Sequence, residues 1–267
     1  MLEALKFVLN EHIENRKLIF KLAIVNMNKQ TMRTSLGVLW LYLHDFVYFS
    51  VFVMFRILMS GGGEIDGMHS VVFLVTGTIP WFFMQEALNV GAGSIKSYKS
   101  ILKSIKFPIT IIPTVEVTGI FLKRIFTFLF IFGVCGYFGY LHCFNPLLFV
   151  YYVFCMLILM YAVLMTVSAF AAVSSDFHQL YTVVLRVLMF TLPIMWGYKH
   201  ISGHKIIEAV VRIDPMVYIL NGFRNAFVVG GAPSLVYSIY FWLCVIVFFT
   251  FGSFIQFKLR KYYADLM

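Results

Sequence analysis

The stretch IFTFLFIFGVCGYFGYLHCFNPLLFVYYVFCMLILMYAVLMTVSAFAAVSS, residues 125–175, runs for 51 residues without a charged side chain. A helix crossing a bilayer needs about 20 apolar residues. The run is therefore too long for one span. Its natural break is YLHCFNP (140–146), which ends a third span near 139 and opens a fourth over Leu147–Ala172. Spans of this length argue against transmembrane β-strands, which need only about 9–11 residues each.

Working outward, further spans are expected at about Leu36–Met59, with His44 and Asp45 inside it, and at Met68–Gly93, carrying Glu86. The third span is placed at 117–139, with Lys123 and Arg124 near its entry end, where long side chains can snorkel to the interface. Pro108 and Pro113 should break regular helix before it. A fifth span, Leu180–Tyr198, is interrupted by Arg186 and Pro193, and a sixth, Pro233–Phe257, has no charge.

Composition agrees. Hydrophobic residues make up 61% of the 267 residues and charged residues 12%, half the share of an ordinary soluble domain. The mean hydropathy is +0.88. Thirty Phe and fifteen Tyr exclude a disordered chain. The reading is an all-α polytopic membrane protein. Its domains are a cytoplasmic amphipathic arm (1–33), a six-helix membrane domain (34–257) and a cytoplasmic tail (258–267).

The net charge of +9 reads as topology rather than nucleic-acid binding, because the basic residues cluster beside apolar spans. With the N-terminus inside, fifteen Lys and Arg fall on inner segments and four on outer ones, so both termini are expected in the cytoplasm. The arm has an apolar stripe (Leu2, Leu5, Leu9, Ile13, then Leu18, Leu22, Val25) against a basic face, which suits the membrane interface. It lacks the pattern of a cleaved signal. Residues 94–107 carry Lys96, Lys99, Lys103 and Lys106 at helical spacing. The segment 199–232 reads as two short amphipathic helices split at Asp214-Pro215.

No phosphate-cradling GxxxxGK[ST] sequence occurs, and HExxH, GxSxG and GxGxxG are also absent. His200 and His204 stand at i,i+4 but read as polar-loop residues, so no metal site is expected. The cysteines read as packing residues. The chain looks like a pathway or scaffold, not a catalyst.

Six local sequences, in order, resemble the polysaccharide-exporting ABC-2 permeases, the membrane subunits of O-antigen, capsule and teichoic-acid exporters. They are Met32–Trp40 (MRTSLGVLW), Gly77–Phe83 (GTIPWFF), Lys106-Phe107-Pro108 with Pro113, Ser175-Asp176-Phe177, Leu192-Pro193-Ile194, and Asp214-Pro215 with Phe223-Arg224. Two departures stand out. Leu43-His44-Asp45-Phe46 occupies a place where the family commonly has proline, and Leu192 replaces the usual Ser.

The resemblance implies an ABC-2 type fold with an interface helix and re-entrant outer helices. It implies a homodimer, two copies of a separate cytoplasmic ATPase that bind ATP and Mg, and no cofactor in this chain. The substrate implied is an undecaprenyl-diphosphate-linked glycan, O-antigen by preference, crossing the bacterial inner membrane. Capsule or teichoic-acid export, drug or small-lipid export, and a polytopic membrane transferase are the alternatives.

On this reading 94–107 is the coupling helix that docks the ATPase, with Asp176 as a second contact; lipid binding by the lysines is the rival role. Lys29 and Arg33 are assigned to the carrier diphosphate, or else to membrane anchoring. Asp45, Glu86 and Arg186 either line the path or pair within one subunit. Trp40, Tyr42, Tyr48, Trp81, Phe82, Phe83, Tyr181, Trp196 and Tyr198 are candidates for a sugar-stacking lining, with membrane belt and core as the plainer role. Asp214, Pro215, Phe223 and Arg224 belong to an outer gate or a static cap.

Overall fold

The computed structural model describes residues 1–31, 39–104, 107–201, 203–228 and 233–259. Twelve α-helices occur among them. The arm forms α1 (Leu2–Glu14) and α2 (Arg16–Thr31). Then come α3 (Leu39–Ser60), α4 (Ser70–Ala92), the short α5 (Ser94–Ser97) and α6 (Lys99–Ser104), α7 (Ile112–Tyr137) and α8 (Pro146–Val173). The chain continues with α9 (Ser175–Thr191), α10 (Lys205–Ile213), α11 (Pro215–Asn225) and α12 (Leu235–Leu259).

Four helical segments are long and apolar enough to cross a membrane: Ser70–Ala92, Ile109–Tyr137, Pro146–Val173 and Leu235–Leu259. At 1.5 Å per residue each reaches beyond the roughly 30 Å hydrocarbon core. The protein is thus a mostly α-helical, polytopic membrane protein. Helix α3 is long but carries Asp45 and Arg56, and α9 has only 17 residues.

Local chemistry explains the boundaries. Asn145 caps α8, its side-chain oxygen accepting from the Leu147 and Leu148 amides at 3.1 and 3.2 Å, and Pro146 takes the first helical position. Ser174 ends α8 and caps α9, accepting from the Phe177 amide at 3.2 Å. Helix α9 therefore begins five residues before the expected Leu180. It also stops at Thr191, not Tyr198, because Pro193 forces Leu192 into an extended conformation (ψ 145°). Pro113 does not break the helix it was expected to break. It lies in the first turn of α7, where a missing N–H costs nothing, so that helix starts at Ile112 and takes in Glu116.

The loop at 60–67, read from sequence as a plain connection, folds back as a two-residue hairpin pairing Glu64 with His69 and Ile65 with Met68. Asp66 and Gly67 supply the positive φ values (49° and 83°) such a turn requires.

Helix α4 is the centre, touching α3, α7, α8, α9 and α11. Helices α8 and α12 pack along each other, and α2 lies along α7. A Cβ on Gly119 of α7 would sit 3.1 Å from the Ala23 carbonyl, so the two backbones meet closely. The arm docks through small and polar residues: Ala4, Val8 and Ala23 are buried, while Leu2, Leu9 and Ile13 point outward. His12 Nδ1 donates to the Val8 carbonyl at 2.7 Å, so its Nε2 accepts, from the Thr114 hydroxyl at 2.9 Å and from Tyr161. Burial holds this imidazole below the ordinary 6.5, the Val8 bond opposing it, in keeping with a neutral ring.

Residues 94–104 and the α8–α9 turn share one end of the bundle, joined by Lys96 Nζ donating to Ser175 Oγ at 3.0 Å. The hairpin, α10 and α11 lie at the other end, where the Asn145 amide donates to the Ala226 carbonyl at 2.8 Å.

Candidate functional site

The charged residues inside the bundle are gathered, not scattered. Helix α7 presents Lys123 and Arg124, which were expected to snorkel outward. Both are instead buried. Glu86 of α4 accepts from Lys123 Nζ with one oxygen and from Arg124 Nε with the other, and Asp45 of α3 accepts from Arg124 Nη1. Two cations meet two carboxylates, so the group is formally neutral. This removes the reason to reach for the interface: a charge in an apolar interior is tolerated when paired and hydrogen-bonded. Asp45, only 2% exposed, thus pairs with a basic neighbour. His44, lying outward, adds a contact of 3.4 Å to it. The Tyr42 hydroxyl donates to the Lys123 carbonyl at 3.2 Å, tying α3 to α7 again.

A second polar group adjoins this one. Asn26 of α2 donates to Glu116 Oε1 at 2.8 Å and to the Tyr98 hydroxyl at 2.9 Å. Arm, lysine-bearing segment and α7 are fastened together by one amide. The sequence does not single out these three residues, because Pro113 reads as a helix breaker and so leaves Glu116 outside the span expected at 117–139. An acidic residue in an otherwise apolar helix was the available signal.

Three separate sequence motifs converge at the opposite end. Arg224 of α11 is buried. Its Nη2 donates to the Pro193 carbonyl at 2.6 Å and to that of Ile194 at 3.3 Å, and its Nη1 donates to Asn221 Oδ1 at 3.3 Å. Its guanidinium lies 3.5 Å from the centroid of Phe73. Gly77 of α4 makes the space, since a Cβ there would come within 2.7 Å of Nη2. Burial lowers the Arg224 pKa to about 9, which leaves it charged at neutral pH. The Leu-Pro-Ile break, the Gly77 motif and Phe223-Arg224 are therefore parts of one clamp.

The other expected residues are placed as follows. Asp214 caps α11, accepting from the Met216 amide at 2.8 Å, and Pro215 opens that helix. Phe223 is fully buried, stacked on Phe128. Trp81, Phe82 and Phe83 lie in the core around α4 and present no open ring face. Trp196 Nε1 donates to the Phe190 carbonyl at 3.1 Å. Trp40 is half exposed on α3, and Arg186 is exposed on α9, away from the charge group. Asp176 is exposed in the first turn of α9, and Lys99 is exposed in α6. Lys29 and Lys103 lie in α2 and α6, but their side chains, together with Arg33 and Lys106, fall outside the described residues.

A groove of about 580 Å³ opens between α3 and α7, lined by apolar residues such as Leu39, Phe46 and Phe126, with Tyr42, Asp45 and Thr127 as its polar members. Around it α3 leaves Leu43, Val47, Tyr48, Val51 and Phe55 uncovered, and α9 does the same with Leu180, Val183, Val187 and Phe190.

This constellation pairs charges, clamps carbonyls and exposes apolar helix faces; it offers no nucleophile beside a base. Residues 19–228 match the family model described as ABC-2 type transporter. The chain is 19% identical over 228 residues to the O-antigen export system permease protein RfbA of Myxococcus xanthus, covering 85% of this chain and 86% of that one. A match across well over half of its length means that this chain, a transport permease, belongs to the ABC-2 type transporter family, whose typical architecture is a membrane permease with an ATPase partner.

Proposed function

We propose that the chain is the membrane subunit of an ATP-driven exporter that carries undecaprenyl-diphosphate-linked polysaccharide, O-antigen by preference, across the bacterial inner membrane. The observation that carries this reading is the likeness, over most of both chains, to a permease named for O-antigen export. Helices α3 and α9 cross the membrane beside the four long apolar segments, giving six spans with both termini in the cytoplasm.

The uncovered faces of α3 and α9 favour a homodimer. Arg186 lies exposed among apolar neighbours on α9. A guanidinium facing lipid costs at least about 2.5 kcal/mol, so that face belongs against a second subunit or a wet path. The exposure of the α3 rings Trp40 and Tyr48 supports a role in lining the path, and the burial of Trp81 and Phe83 a role in supporting its wall.

At the inner end, α5 buries Ile95, the turn after it buries Tyr98, and Lys99 of α6 points outward. A buried apolar side with a lysine turned outward supports assigning this segment to ATPase docking. Replacing Lys96 and Lys99 with Glu is expected to abolish co-purification with the ATPase. An intact complex with altered lipid dependence would instead assign these lysines to anionic lipid.

The test of the function is the location of glycan in cells lacking the protein. Lipid-linked polymer is expected to accumulate on the cytoplasmic side. Normal surface glycan without accumulation, and without a redundant exporter, would reject polysaccharide export in favour of a drug or small-lipid substrate.

A further inference from the structure

At the end remote from the lysines, α10, α11 and the start of α12 enclose a pocket of about 290 Å³. Five tyrosines line it, together with Arg212, Asp214, Asn221 and Asn225. Its volume is at the lower limit of ligand pockets. Tyr198, one of the residues expected from sequence to form a sugar-stacking lining, is among its tyrosines.

Arg212 sets the shape. Its guanidinium lies 5.8 Å from the ring centroid of Tyr198 and 6.0 Å from that of Tyr237, and its Nη1 donates to the Tyr237 hydroxyl at 2.6 Å. Two ring faces are thereby held in place. The charge of Arg212 is answered by Glu208, one turn earlier on α10. Asp214 adds a carboxylate that uses one oxygen on the Met216 amide. Arg212 in the pocket and Arg224 behind Asn221 are thus matched by Glu208 and Asp214, leaving no excess positive charge, which disfavours a phosphate or an acidic sugar. Asn221 is engaged by Tyr198 and Arg224. The Asn225 side chain has no hydrogen-bond partner among the described residues, so it can both donate and accept toward a ligand.

Fixed aromatic faces, an uncommitted amide and a carboxylate oxygen, without excess positive charge, match the two kinds of surface on a pyranose: apolar C–H faces and equatorial hydroxyls. We propose that this pocket is a subsite for a single uncharged pyranose unit of the exported chain, with Tyr198 and Tyr237 packing on the ring and Asp214 and Asn225 bonding its hydroxyls. The proposal rests on the polysaccharide-export reading. A site of this size holds one unit weakly, as a pathway that must also release its cargo requires.

The test uses the full-length chain in lipid nanodiscs and saturation-transfer NMR with methyl α-glucopyranoside, methyl α-galactopyranoside and methyl α-mannopyranoside, with glucose 6-phosphate as the charged comparison. At least one neutral glycoside is expected to receive saturation, and the phosphate at least fivefold less. Tyr237→Ala and, independently, Asn225→Leu should each reduce the signal at least fivefold. Leu147→Ala, on the outward surface of α8, should leave it unchanged. If Tyr237→Ala does not fold, Asn225→Leu and Tyr237→Phe decide, the latter keeping the ring and so most of the signal.

No saturation of any glycoside, or equal signals in wild type and the pocket variants, overturns the subsite. Cytoplasmic glycan accumulating in the null strain alongside that result leaves the export reading standing alone. Pocket-dependent saturation without accumulation keeps a saccharide site but removes it from a polysaccharide path.

Discussion

Arg124→Ala is expected to lower the stability of the folded protein by about 3–5 kcal/mol, the range for breaking a buried ion pair from one side. The arithmetic of partners explains the size. Glu86 would still hold Lys123, but Asp45 would keep only the 3.4 Å contact with outward-lying His44. A carboxylate that is almost wholly buried would then stand without a cation. The measurement is the thermal midpoint in detergent, followed by the monodisperse fraction on size exclusion. Adding Asp45→Asn should restore part of the loss, because an amide is less costly to bury than an unpaired charge. A single variant as stable as wild type would show that the charge group does not hold α3 in place.

Arg224→Ala should be comparably severe, at about 3 kcal/mol. Two buried carbonyls, of Pro193 and Ile194, lose their donor together, and each unsatisfied acceptor costs roughly 1–3 kcal/mol. The face of Phe73 loses its cation as well. Arg224→Lys should recover little, since a single ammonium cannot reproduce a fork that reaches both Pro193 and Asn221. Limited proteolysis is the direct readout: cleavage within 192–201 should accelerate in both variants while cleavage in α8 stays unchanged. Wild-type resistance in Arg224→Ala would mean that the break after α9 is fastened by something else.

The parts of this fold that could be read from sequence are those set by local chemistry. The uncharged runs of α8 and α12 and the split at Asp214-Pro215 are where the residues put them, because length and caps decide them. The failures share a cause. Pro113 breaks a helix in its interior but starts one at its first turn, and the residue alone does not say which. Asp45 and Arg124 are 79 residues apart, and Pro193 and Arg224 are 31 apart. Neither partner's spacing foretells the other. Trp81 and Phe83 looked like lining because an apolar helix facing lipid and one facing protein have the same composition; only the central position of α4 separates them. The site was therefore legible as a set of residue types, while its pairing was not.

The wide separation within the ion pair also sets an order of events during synthesis. Asp45 leaves the ribosome 79 residues ahead of Arg124, an interval of roughly 4–16 s at ordinary elongation rates. Throughout it the nascent α3 carries an acid without its counter-ion. Its ion pair can form only after α7 has been made, so the first long helix translated after the arm waits for a partner four helices later in the chain.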